Sequence, residues 1–226
     1  MTFPEERAAI TEILERTGNS VCLVDLGAHL GEDTAWMLEV LKDHKDVQAV
    51  MIEADRLNFN LLVQEYFPNV SDEERQQTCL ISRSIIAGHF AIADRNGSCD
   101  FYSCTASGGG FGSVYRPIPD KIAVSVDDFR LVRNIPCIKL DTLFDLCVLE
   151  SIDLLWVDIH GAEKDMIAHG QKALSRTKYM MIEAVAESMY EGAAMKSELI
   201  EMLPGWTVLK EFPWNLLLKN NSFACL

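Results

Sequence analysis

The sequence predicts an open α/β sheet with parallel strands and right-handed helical crossovers. Three observations carry that expectation. Short apolar runs at 21–25 and 48–52 alternate with amphipathic stretches of helical period at 32–43 and 56–67, the pattern of successive βαβ units. Four apolar runs close on an acid, namely Asp25, Glu53, Asp158 and Glu183. The first acid is followed by Gly27-Ala28-His29-Leu30-Gly31 and then by a helical run. That is the strand–loop–helix entry at which such sheets bind small ligands.

Taken in order, residues 4–17 carry Ala8, Ala9, Ile13 and Leu14 at helical spacing, with Gly18-Asn19 as the stop. This leader helix packs on the sheet or covers the ligand site. A strand at 20–25 leads to a helix at about 32–43 with Trp36, Met37, Val40 and Leu41 on one face. The strand at 48–52 ends in Glu53-Ala54-Asp55. The next helix turns Phe59, Leu62, Val63 and Tyr66 inward and stops before Pro68. Residues 78–86 and 89–93 read as strands, and Asp94-Arg95-Asn96-Gly97 as a turn into a strand at 98–103, hence a hairpin. Four glycines between Ser107 and Ser113 exclude a helix or strand interior. That run reads either as a substrate loop or as a linker. Residues 122–126 are strand-like, and Asp141 is placed to cap a short helix. A buried strand at 152–158 turns through 159–163 into a helix with Met166, Ile167 and Leu174 facing in, and a strand follows at 179–183. The runs 206–210 and 214–218 flank a turn with Pro213, too close for a parallel crossover, so they pair antiparallel.

Composition narrows the function classes. The chain has 226 residues, 49% apolar and 24% charged, enough for one α/β domain with a sizeable core. A net charge of −14 argues against broad contact with a nucleic-acid backbone. The densest basic group, Arg130, Arg133 and Lys139, is too thin for one. Seven cysteines, at 22, 79, 99, 104, 137, 147 and 225, form no C-x-x-C pair and read as reduced thiols of a cytoplasmic protein. No signal peptide is visible, and no run approaches the ~18 apolar residues of a membrane span. Oligomeric state has no signature in the sequence.

The candidate site is the first loop. Gly27 and Gly31 let backbone approach a ligand, and the free amides of the helix start converge on the same place. Asp25 there repels phosphate and favours a cationic or amine-bearing ligand. Glu53, closing the second strand, is within reach of both hydroxyls of a ribose over that loop. Nicotinamide dehydrogenases and S-adenosylmethionine methyltransferases share this feature. The dinucleotide fingerprint G-x-G-x-x-G separates them, because its three glycine positions hold Asp25, Gly27 and Leu30. No Walker pattern is present either. A ligand with a sulfonium and an α-amine fits better than a pyrophosphate.

Beyond these single features, the sequence resembles the FkbM-type S-adenosylmethionine-dependent methyltransferases. The resemblance runs through Val24-Asp25-Leu26-Gly27-Ala28-His29-Leu30-Gly31 with Thr34, Ile52-Glu53-Ala54-Asp55 with Asn58-Phe59, and Ala91-Ile92-Ala93-Asp94 with Gly97. It continues through Leu140-Asp141-Thr142-Leu143, Ile152-Asp153-Leu154, Asp158, Gly161-Ala162-Glu163 and Glu183, covering roughly 20–220. The resemblance implies a class I methyltransferase fold, a seven-stranded, mostly parallel sheet with an antiparallel last strand. With the leader helix set apart, the chain divides into a short N-terminal helical extension, 1–19, and a methyltransferase domain, 20–226. The resemblance implies S-adenosylmethionine as cofactor, bound by Asp25, Gly27, Ala28, His29, Gly31, Thr34, Glu53, Ala54, Asp55 and His89. The implied reaction is O-methylation of a small-molecule or glycan-like hydroxyl.

Three positions depart from the family's pattern: His29 stands where Asn is usual, Trp156 where a Lys is, and His160 where an acid is. Methyl transfer to a hydroxyl needs positioning and removal of one proton. His160, with Asp158 and Glu183, is the candidate catalytic set, His160 reading as the base or as a solvated loop residue. The two acids would also suit a divalent cation, though no metal is expected. The acceptor pocket is expected from residues 98–116 and the leader helix, with Tyr102, Phe111 and Tyr115 as candidate lining. Two alternatives stay open: a non-catalytic methyltransferase-like subunit and an NAD-dependent oxidoreductase.

Overall fold

The computed structural model describes residues 3–71 and 73–223, so Cys225 lies outside the described residues. The chain runs α1 (Pro4–Leu14), β1 (Ser20–Leu26), α2 (Glu32–Val40), β2 (Asp46–Glu53), α3 (Arg56–Tyr66), β3 (Cys79–Ile81), β4 (Ile85–His89), β5 (Ala91–Ile92) and β6 (Gly97–Cys104). It continues with β7 (Phe129–Ile138), α4 (Leu140–Leu146), β8 (Ile152–Val157), α5 (Glu163–Ala168), α6 (Gln171–Ser175), β9 (Thr177–Glu183), α7 (Lys196–Glu201), β10 (Trp206–Glu211) and β11 (Asn215–Asn220).

The main sheet has the order β10-β11-β9-β8-β1-β2-β4-β3. Its centre, β4-β2-β1-β8-β9, is parallel throughout. β11 runs antiparallel to β10, as the Pro213 turn predicts, and also to β9. Eight strands, not seven, make this sheet. The short edge strand β3 pairs antiparallel with β4, because residues 78–86 are not one strand but two, turned at 82–84, where Ser82 N–H bonds to Ile85 C=O at 2.8 Å.

Both faces of the sheet are covered, which is why its central strands carry unbroken apolar runs. Alternate residues of β8 serve different layers. Leu155 and Val157 join Met166, Ile167, Met180 and Ile182 on one side, while Leu154 and Trp156 join Ile10, Leu14, Met37 and Met181 on the other. The helical leader therefore shares the domain core through fully buried Ile10 and Leu14. A break at Gly170 splits the expected single helix into α5 and α6, yet Met166, Ile167 and Leu174 are all buried as expected.

A second, three-stranded sheet has the order β5-β7-β6. The expected hairpin across 94–97 does not form, since β7 lies between β5 and β6 and pairs with both. Residues 122–126 are not a strand, and the strand begins at Phe129. Asp141 does not cap α4. Lys139 occupies that position, and the Asp141 carboxylate accepts from Ala173 N–H at 2.9 Å, tying α4 to α6.

Candidate active site

The four acid-ended strands bring their carboxylates to one cavity. Asp25, Glu53, Asp158 and Glu183 all line a cleft of about 740 Å³, within the usual size of a small-ligand site. One side is built by the loop after β1. Gly27 and Ala28 N–H both donate to Ile52 C=O, at 2.8 and 3.0 Å. A Cβ on Gly27 would stand 1.8 Å from Asp158 C=O, and its φ is +84°, so no other residue fits where this loop crosses β8. Gly31 (φ +85°) closes the loop beneath Tyr66, whose hydroxyl donates to Gly31 C=O at 2.6 Å.

Glu53 joins the two strand ends. One oxygen accepts from His29 N–H at 2.8 Å and the other from Asp55 N–H at 2.7 Å. A carboxylate oxygen has two acceptor positions, so each keeps one for a ligand hydroxyl. Burial pushes the Glu53 pKa up to about 7 against the pull of those amides. Asp25 is buried too, and accepts from Thr34 Oγ1 at 2.6 Å. Burial raises its pKa to about 8, the Thr34 bond opposing and the charges of Asp33, Asp158 and Glu53 adding. A cationic ligand would relieve this crowding of negative charge; a phosphate would add to it.

The other side is built by the exit of β8 and the end of β9. His160 sits at φ +47° between the rings of Phe111 and Tyr190, each 5.9 Å away centre to centre. Ser113 Oγ holds its carbonyl at 2.6 Å. His160 Nδ1 lies 3.4 Å from Asp158 Oδ1, and Asp158, His160 and Glu183 each offer a ligand atom within 4.8 Å of the others. Burial, and then Asp158, raise the Glu183 carboxyl well above its ordinary pKa. One imidazole and two carboxylates so disposed can take up a hydroxyl and its proton, and are the right donors for a divalent cation. Glu163 stands behind them, buried, and accepts from Gly161 N–H at 2.8 Å.

The glycine run is a wall of the cleft. Gly109, Gly110, Phe111 and Gly112 line it. His29 Nε2 meets Gly108 C=O at 2.8 Å, and Tyr190 hydroxyl donates to Phe111 C=O at 2.9 Å. A Cβ on Gly112 would stand 2.5 Å from the Phe101 ring.

Of the expected cofactor residues, Asp25, Gly27, Ala28, His29, Glu53 and Ala54 line the cleft, as do the three candidate catalytic residues. Gly31, Thr34, Asp55 and His89 are not among its lining. Thr34 is one bond behind Asp25. Asp55 caps α3, accepting from Leu57 N–H at 2.8 Å, and also takes a bond from Ser103 Oγ. His89 turns away from the cleft. Its Nε2 meets Ala54 C=O at 3.0 Å and its Nδ1 meets Arg56 Nη1 at 3.3 Å. Burial and the Arg56 charge lower its pKa to about 4, so it is a neutral prop for the Ala54 backbone. Phe111 lines the cleft, whereas Tyr102 and Tyr115 do not; Tyr115 hydroxyl donates to Asp165 at 2.6 Å instead. Asn58, one of the residues that carry the family resemblance, also lines it, as do Phe3, Arg7, Trp214 and Asn215, which no local motif marks. Glu163 did have a signal, in Gly161-Ala162-Glu163.

The model of the methyltransferase FkbM domain matches residues 25–210. The 2-O-methyltransferase NoeI of Sinorhizobium fredii (strain NBRC 101917 / NGR234) is 33% identical over 146 residues, which are 58% of this chain and 58% of that protein. The solved structure of methyltransferase FkbM from Methylobacillus flagellatus KT is 19% identical, with a TM-score of 0.52 over 91% of this chain and 44% of that one. A Staphylococcus aureus structure named as a caffeoyl-CoA O-methyltransferase candidate is 9% identical, with a TM-score of 0.53 over 97% of this chain and 85% of that one. These two structures share the fold. The chain spans less than two thirds of both NoeI and the FkbM structure. The family match covers most of the sequence and begins at the acid of the first loop, and the chain belongs to the FkbM methyltransferase family.

Proposed function

We propose that this protein transfers a methyl group from S-adenosylmethionine to a hydroxyl of a small, sugar-like acceptor. The observation that carries the reading is one cleft with a glycine-walled, acid-floored loop on one side and Asp158, His160 and Glu183 on the other. The residues fit the cofactor. Asp25 suits an ammonium or sulfonium, Glu53 retains acceptor positions for ribose hydroxyls, and Gly27 lets the loop between them pass directly against the Asp158 carbonyl. When bound, S-adenosylmethionine supplies an electrophilic methyl on a positively charged sulfur. The name of the 33% identical relative, a 2-O-methyltransferase, supports oxygen as the acceptor atom.

In this reading His160 takes the acceptor hydroxyl's proton. Asp158, 3.4 Å away, stabilises the imidazolium that forms, and Glu183 orients the hydroxyl. Phe111 and Tyr190 fix the imidazole plane, so the base is held ready. The same reading takes residues 20–226 as the methyltransferase domain, with 1–19 supplying one wall. It places the protein in the cytoplasm, consistent with the six described cysteines being free. The net charge supports an acceptor that is not a nucleic acid, and among the described residues no helix is long and apolar enough to cross a membrane.

The test is His160→Asn. Turnover is expected to fall about 10²- to 10⁴-fold while S-adenosylhomocysteine affinity, measured by calorimetry, is unchanged; lost cofactor binding counts against the base assignment. A chelator should leave wild-type turnover intact. Loss restored by a divalent cation would reassign Asp158, His160 and Glu183 to a metal.

A further inference from the structure

Apart from His29 and His160, the ionisable side chains that line the cleft are acidic except at one point. Asp25, Glu32, Asp33, Glu53, Asp158 and Glu183 face it, and Arg7 is the single Lys or Arg among the described lining residues. Such a wall welcomes the sulfonium and the ammonium of S-adenosylmethionine but repels the carboxylate on the same carbon as the ammonium. Something cationic must offset that repulsion for the zwitterion to bind.

Arg7 is held where it can do so. The start of α1 is anchored by fully buried Glu6, whose two oxygens accept from Phe3 N–H at 2.8 Å and from Asn215 Nδ2 at 2.9 Å. The Arg7 guanidinium then lies 5.2 Å from the centre of the Trp36 ring. Its Nη2 is ion-paired with Asp33 Oδ1 at 3.7 Å, a separation longer than a hydrogen bond, and its Nε is buried with no hydrogen-bond partner among the described residues. A guanidinium with unspent donors and a fixed plane is the natural partner of a carboxylate. It also stands at the correct end of the cleft, because the Asp33 it faces acts electrostatically on Asp25. The first turn of α2 is the rival site for an anion, but it carries Glu32 and Asp33, and Gly31 N–H is already given to Ala28 C=O at 2.7 Å.

We propose that Arg7 of the leader helix binds the α-carboxylate of the cofactor's methionine portion. This rests on the cleft being the S-adenosylmethionine site. It turns the helical extension into part of the cofactor pocket, and it makes the zwitterion, not the adenosine alone, the recognised ligand.

The experiment is a calorimetric cycle of wild type and Arg7→Met against S-adenosylmethionine and decarboxylated S-adenosylmethionine, which keeps the sulfonium and the amine. Arg7→Met is expected to weaken S-adenosylmethionine about tenfold or more and to leave the decarboxylated ligand within about twofold of wild type, within the scatter of uncoupled sites. Arg7→Lys should recover part of the loss. Equal losses for both ligands, or no loss for S-adenosylmethionine, overturn the proposal and leave the cofactor reading standing. A wild type that binds neither overturns the cofactor reading and this proposal with it. Retained binding of the decarboxylated ligand is the check on folding, and Arg7→Gln separates the same outcomes if Arg7→Met does not fold.

Discussion

Asp25 and Glu53 carry a pH signature that follows from their burial. With pKa values near about 8 and about 7 in the ligand-free cleft, both are largely protonated at pH 6 and ionised at pH 9. A ligand bearing an ammonium favours the ionised forms, so binding releases protons and affinity rises from pH 6 to 9. Calorimetry of S-adenosylhomocysteine in buffers of different ionisation enthalpy should show net proton release at pH 7, and Asp25→Asn should remove most of it along with most of the affinity. Proton uptake would contradict this. The same shifts act on stability. Both folded values lie above the ordinary carboxyl values of 3.8 and 4.5. The stability they contribute is therefore fully present below pH 4 and is lost as pH climbs through 7 and 8. The ligand-free melting temperature should fall across that window, and bound cofactor should flatten the fall.

Among the elements, the β1 loop tolerates change least. Gly27→Ala drives a methyl into Asp158 C=O at a backbone angle that only glycine adopts freely. It should cost about 3 kcal/mol or more, and urea unfolding would read the loss. Gly97→Ala, also at positive φ but with open space around the added atom, should lose about 1–3 kcal/mol from backbone strain alone. This loop was legible in the sequence because all its determinants are local. Asp25, two glycines and the start of the following helix are close neighbours in the chain, and each rim acid ends its own strand. β7 was not legible, because Pro136 and a run of exposed side chains hide it. Its pairing with both β5 and β6 joins segments far apart in the chain, which no turn at 94–97 reveals. The cleft's far wall was hidden for the same reason. Arg7 and Trp214 come from opposite ends of the sequence, and only the assembled sheet brings them to one place.

For the molecule as a whole, the leader helix and the sheet stand or fall together. Leu14 is fully buried among residues of β1, β8 and β11, so Leu14→Ala should lower global stability by roughly 2–5 kcal/mol. Fluorescence and circular dichroism transitions should remain coincident; a separate early transition for the helix would contradict a shared core. The pairing of β1 with β8 has a consequence for how the protein is made. Cys22 N–H bonds to Asp153 across 131 residues of sequence, and the Gly27 loop is shaped against the carbonyl of Asp158. A ribosome that has finished β1, β2 and their helices has made the cofactor's loop but not the surface it leans on, and β1 still shows one unpaired apolar edge. That edge is closed only by β8, so in synthesis the exposure of β1 ends, and the cofactor's loop gains the surface it leans on, at the same step, while the open edge passes to β8 until β9 is made.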